Sequence, residues 1–139
     1  MFSAQPAPSS NATAENTVTV RYIVKDVPES AEFYSKHLGF TIALDARPVF
    51  AVVARGPLRL ALSGSAGPGG GSRPMPDGRR PEPGGWNRIQ IAVGDLASEV
   101  ERLRAVGVRF RNETVKGSGG LQILLDDPSG NPIELFQAY

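Results

Sequence analysis

Two short stretches decide the fold: Val18-Thr-Val-Arg-Tyr-Ile-Val-Lys-Asp26 and Arg88-Ile-Gln-Ile-Ala-Val-Gly-Asp-Leu96. In the first, Val18, Val20, Tyr22 and Val24 alternate with Thr19, Arg21 and Ile23, the period of two that marks a strand with one apolar face. Asp26 then stands where a helix N-cap belongs, with Glu29 three residues on as a capping-box partner and Pro28 in the first turn. Ala31, Phe33, Tyr34 and Leu38 suit an amphipathic helix that Gly39 ends. The second stretch repeats the plan. Ile89, Ile91 and Val93 alternate with Arg88, Gln90 and Ala92, and Asp95 caps a helix containing Leu96, Val100, Leu103 and Val106 that stops at Gly107.

Working outward, strands are predicted at about 40–45, 48–54 and 58–63 after the first helix, and at about 108–113, 120–126 and 132–137 after the second. Asp127-Pro-Ser-Gly130 forms the turn before the last of these. With Asp26 aligned on Asp95, Gly39 falls within one residue of Gly107, so the chain carries an internal duplication of a β-α-β-β-β unit. The predicted class is α+β: two βαβββ modules, at about 17–63 and 86–137, in a single domain over 17–137.

Two segments fall outside the modules. Residues 1–16 are too poor in apolar side chains to pack and read as a disordered tail. The segment 64–85 is rich in Gly, Pro, Ser and Arg and too long for a tight connection. It reads either as a passive linker or as a flap with Met75, Arg79, Arg80 and Trp86 reaching inward.

Composition narrows the function. At 139 residues with 40% hydrophobic and 21% charged side chains, the chain has the balance of one globular domain. A net charge of +1, with no basic run interleaved with aromatics, leaves no electrostatic footprint for nucleic acid. The absence of cysteine excludes disulfides, thiolate metal sites and cysteine nucleophiles. No apolar stretch approaches the roughly 18–20 residues that span a bilayer. The first residues lack the charged and apolar regions of a secretory signal, so a cytoplasmic location is expected and the sequons at Asn11 and Asn112 carry no meaning.

The motifs resemble those of the vicinal oxygen chelate superfamily, which includes glyoxalase I, extradiol dioxygenases and bleomycin-resistance proteins. The marks are Val24-Lys-Asp26, Ser30, Phe33-Tyr34 and Leu38-Gly39-Phe40 in the first half. In the second they are Val93-Gly-Asp95-Leu96 and Asp127-Pro-Ser-Gly-Asn-Pro-Ile-Glu134-Leu. The resemblance implies a mixed sheet curled into a cup around a small-molecule site, and a homodimer. It also implies metal ligands on the cup-facing side in the enzymes of the family. Carried over, the ligand positions on the first strands fall on Thr19 and Arg88, and the last strand supplies Glu134. The remaining ligand should lie on the strand around Leu60 to Ser63, which has no carboxylate. A guanidinium at a ligand position repels a cation, so neither a metal nor another cofactor is expected. His37, the single histidine, suits a helix C-terminus.

If the apolar faces of the first strands cover the helices, the cup is lined by Thr19, Arg21, Arg88 and Gln90. Glu134 and Phe136 join them, with Gln122 and Leu124 from the neighbouring strand and Phe50 and Val52 as apolar walls. The expected ligand-binding residues are Thr19, Arg21, Phe50, Trp86, Arg88, Gln90, Gln122 and Glu134. Each has a plainer role: Arg88 and Glu134 as an ion pair, Arg21 with its head in water, the glutamines on backbone groups, Trp86 as packing at a strand start. Two arginines on equivalent strands point to an acidic, carbonyl-rich or aromatic polyphenolic ligand. The leading expectation is a metal-independent small-molecule binder of the drug-sequestering kind. The alternatives are a glyoxalase-like lyase or isomerase with Glu134 as base, or an interaction module whose cup is filled by its own side chains.

Overall fold

In the computed structural model the described residues are 14–65 and 70–139, and they divide into two compact units, with the boundary between Glu82 and Pro83. The expected tail falls largely on residues 1–13, outside the described set; its last residues, Ala14–Asn16, form a 3-10 turn.

The first unit runs β1 (Val18–Val24), α1 (Val27–His37), β2 (Thr41–Ala46), β3 (Phe50–Arg55) and β4 (Leu58–Gly64). Its sheet has the order β1-β4-β3-β2, with β1 parallel to β4 and the other neighbours antiparallel. The second unit runs β5 (Ile89–Ala92), α2 (Leu96–Ala105), β6 (Arg109–Phe110), β7 (Val115–Lys116), β8 (Gly120–Asp126) and β9 (Pro132–Ala138). Its order is β5-β9-β8-β6, with β7 also on β8 and β5 parallel to β9. The two units therefore share one plan: an opening strand, a crossover helix, and a return that lays the last strand parallel to the first.

Local chemistry sets the helix ends. Asp26 and Asp95 are both extended and accept from the amides of Glu29 and Ser98, at 2.9 and 3.1 Å. Gly39 (φ +75°) and Gly107 (φ +88°) take the left-handed backbone that ends each helix. Arg55 Nη1 donates to the Leu38 carbonyl at 2.8 Å, satisfying an acceptor at the end of α1. His37 is the last residue of α1 and packs edge-on against Phe33.

Each helix covers one face of its own sheet. In the first unit Val24, Ala31, Tyr34, Val53, Leu60 and Leu62 are fully buried between helix and sheet. In the second Leu96, Leu103, Ile123, Leu125, Ile133 and Leu135 do the same. At roughly 1.5–3 kcal/mol per fully buried aliphatic side chain, these faces are the main source of each unit's stability.

Three expectations need correction. The strand expected at 108–113 stops after Phe110, because the Asn112 side chain, not a backbone carbonyl, accepts from the Leu124 amide at 2.9 Å. Pairing with β8 resumes only at β7. Val106 is not core: α2 ends at Ala105 and Val106, its C-cap, is 53% exposed. Val18, although on the apolar face of β1, is 63% exposed, the burial of that strand beginning further on at Tyr22. Met75, Arg79, Arg80 and Trp86, the residues named for the flap alternative, are all exposed. Arg79 pairs with Asp77 in a turn closed by Met75 N–H on the Arg79 carbonyl.

Candidate functional site

The strand pleat sorts the residues singled out in the sequence. In the second unit Gln90 lies opposite Glu134, and Leu124 opposite Glu134 on the other side. Gln122 lies opposite Phe136. All five stand on the face turned away from the α2 core, the face opposite Ile133 and Leu135.

Glu134 is the centre of this group. It is 6% exposed, and its Oε1 accepts from Arg88 Nε at 3.0 Å and Nη2 at 2.8 Å. Its Oε2 accepts from Gln90 Nε2 at 2.7 Å. The Arg88 side chain is 29% exposed against 8% for Glu134, and a third guanidinium N–H reaches the Trp86 carbonyl at 3.2 Å. Arg88, Gln90 and Glu134 thus form one closed network. Three of about four acceptor positions on the carboxylate are filled, which leaves little room for it to take a substrate proton.

Trp86 is not packed at a strand start; it is 70% exposed. Arg111, which sequence reasoning missed, lies over its ring at 4.9 Å from the centroid. The same guanidinium bonds Asp126 at 2.6 Å and the carbonyls of Gly85 and Gly130 at 2.9 and 3.0 Å. Asn131 Oδ1 accepts from Gly84 N–H at 2.8 Å. The chain entering the second unit is therefore pinned before β5 starts. A buried turn anchors these contacts: Asp127, 4% exposed, accepts from the Ser129 and Asn131 amides at 2.8 and 2.9 Å.

In the first unit Thr19, Arg21 and Phe50 also lie on the face away from the helix. Thr19 is opposite Arg59, Arg21 opposite Ala61, and Phe50 opposite Ser63. Arg21 Nη1 donates to Ser63 Oγ at 2.8 Å. A 3-10 turn, Gly70–Ser72, lies against β1 and β4, and a Cβ on Gly71 would sit 2.8 Å from Arg21 Cδ and Cζ. Arg59, Ser63, Gly71 and Ser72 had not been singled out. Arg59, Ser63 and their parity with Arg21 were readable once β4 was paired with β1, but the position of the turn was not.

The register also tests the metal-ligand positions of the resembled family. Since Gln90 faces Glu134 and Arg21 faces Ala61, the counterpart of Glu134 in the first unit is Ala61. The donor set is then Thr19, Ala61, Arg88 and Glu134: an alanine without a donor, a cation, and a carboxylate already engaged. This set does not fit a divalent ion. Among the described residues no three His, Asp or Glu side chains converge.

The family model of the Glyoxalase/Bleomycin resistance protein/Dioxygenase superfamily matches residues 16–135, so the chain belongs to this superfamily. The α+β fold agrees: solved structures, one of them of a member of the same superfamily, superpose over most of this chain. One is the antibiotic binding protein TnmS3 from Streptomyces sp. CB03234, at 23% identity and a TM-score of 0.68, covering 88% of this chain and 95% of that one. A superfamily member from Sphaerobacter thermophilus DSM 20745 shares 24% identity with a TM-score of 0.69 over 87% and 95%. Lactoylglutathione lyase from Agrobacterium tumefaciens shares 17% identity with a TM-score of 0.68 over 86% and 91%. Identities this low establish the fold alone. No match is found among curated proteins. Among the described residues no helix is long and apolar enough to cross a membrane.

Proposed function

We propose that this chain binds a small aromatic, antibiotic-like molecule without a catalytic metal, as a cytoplasmic homodimer. The observation that carries the reading is the Arg88–Glu134–Gln90 network. The one carboxylate that matches a family ligand position is spent on a guanidinium and an amide, and its counterpart in the first unit is Ala61. What remains is, on the helix-free face of the first unit, Thr19 and Arg21 beside Phe50 and, on that of the second, Gln122 beside Leu124 and Phe136. Mixed surfaces of this kind recognise small organic ligands. Likeness in fold to an antibiotic binding protein supports the same reading. In it Arg88, Gln90 and Glu134 present a fixed polar platform, and Trp86, backed by Arg111, offers a ring for stacking.

The test has two arms. Elemental analysis of the purified protein, with and without added zinc, nickel, manganese and iron, is expected to find no stoichiometric metal. Equilibrium dialysis against a library of aromatic natural products is expected to find micromolar binding. Stoichiometric metal, or no binding across the library, overturns the proposal. Sedimentation analysis checks the dimer, and a monomer at all concentrations removes that element.

A further inference from the structure

The arginines on the two equivalent opening stretches, Arg21 and Arg88, differ in their electrostatic state. Arg88 is neutralised by Glu134. Arg21 forms no ion pair among the described residues, and residues 1–13 and 66–69 contain no Asp or Glu that could supply one. Arg59, on the same face of the sheet, likewise has no carboxylate partner among the described residues.

Arg21 is nevertheless held in place. Ser63, which accepts its Nη1 hydrogen, is 4% exposed, so the anchor beneath it is rigid. Gly71 closes over the guanidinium so tightly that a side chain there would collide with it. Ser72, the next residue of that turn, is 2% exposed and its hydroxyl has no hydrogen-bond partner among the described residues. An exposed cation held on Ser63 with no counter-charge among the described residues, a second cation on the same face and an unsatisfied buried hydroxyl in the adjoining turn together suit an anion with oxygen acceptors.

We infer that the face of the first sheet around Arg21 binds the acid group of the ligand, whose class is an aromatic carboxylate with its ring system over Phe50 and Val52. The inference rests on the small-molecule-binding reading and narrows it. Arg21 supplies the charge-assisted contact, and Arg59 adds to the positive potential. Preorganisation by Ser63 and Gly71 lowers the ordering cost of capturing the anion.

The experiment uses the full chain and two probes that differ in charge alone, 1-naphthoate and 1-naphthamide, followed by titration calorimetry and by NMR of the Arg21 Nε–H and Gly71 amide signals. Naphthoate is expected to bind about tenfold more tightly than naphthamide, the difference one charge-assisted hydrogen bond makes. Arg21→Gln should erase that preference, whereas Arg109→Gln, a cation of the second unit, should leave it intact. Should Arg21→Gln fail to fold, Gly71→Ala keeps the charge but crowds the guanidinium off Ser63, and should lower naphthoate affinity several-fold. Equal affinities in the unmodified protein, a preference that survives Arg21→Gln, or a naphthoate affinity unchanged in Gly71→Ala, overturn the inference while leaving the binder reading in place. Binding of neither probe also overturns it. The broader reading falls only if the aromatic library fails as well.

Discussion

Removing the Arg88 guanidinium should destabilise the second unit more than neutralising the carboxylate it serves. The asymmetry follows from exposure. Glu134's side chain is 8% exposed, and Arg88 donates two of the three hydrogen bonds it receives. In Arg88→Ala a carboxylate remains charged in a nearly dry position with one amide donor from Gln90. Stripping the partner from a fully buried pair costs about 3–5 kcal/mol. Because Arg88 itself is 29% exposed, some water can follow the deletion, and a cost of about 3 kcal/mol is expected. In Glu134→Gln no buried charge is left. The amide oxygen still accepts from Arg88, whose own charge lies close enough to water to be rehydrated, and about 1–2 kcal/mol is expected. The double variant should lie near Glu134→Gln and above Arg88→Ala in stability, since removing the stranded charge repairs most of the damage. Urea unfolding at pH 7, followed by circular dichroism, measures all three. If Arg88→Ala costs less than Glu134→Gln, or the two changes simply add, Glu134 is not the buried, arginine-dependent charge that the geometry describes.

Other perturbations reach different parts of the fold. Asp95 is held below its ordinary value of 3.8 by the Ser98 amide and then the Ser98 hydroxyl. The stability this cap provides is therefore complete above that value and lost as pH falls through the lowered one. An NMR titration of the Asp95 carboxyl against the Ser98 amide should show the two moving together, and Asp95→Asn should abolish the transition. Asp127→Ala strands the buried amides of Ser129 and Asn131 and should cost about 2–3 kcal/mol in thermal or urea unfolding. Arg111→Ala removes the guanidinium above the single tryptophan and the bond to Asp126. It should cost about 2 kcal/mol and shift Trp86 emission, and an unchanged spectrum would mean that the ring and guanidinium do not stack.

The difference between Arg21 and Arg88 shows how far the sequence could be read. Both precede an aspartate cap in alternating stretches, Arg21 inside β1 and Arg88 just before β5, and the neighbouring sequence does not show which of them is paired. The partner of Arg88 lies 46 residues on, at Glu134, brought beside it by the parallel pairing of β5 with β9. At the equivalent place in the first unit, the pairing of β1 with β4 puts Ala61 opposite Arg21. Trp86 is a second case. Its neighbours in the chain suggested packing, but its exposure is set by Arg111 and the Asp127 turn, which hold the approach to β5 from the far side of the unit.

What the amino-acid sequence determined by itself was whatever depends on neighbours within a few residues. This covers the caps at Asp26 and Asp95, the left-handed stops at Gly39 and Gly107, the period-two strands, and through their repetition the duplicated βαβββ plan. Tertiary structure decided the charge state of each polar face, because register joins residues far apart in the chain. It left Arg21 clamped between Ser63 and Gly71 without a counter-charge, and it closed Arg88 on Glu134. Electrostatics acts over ångströms of space, and distance along the chain does not measure that.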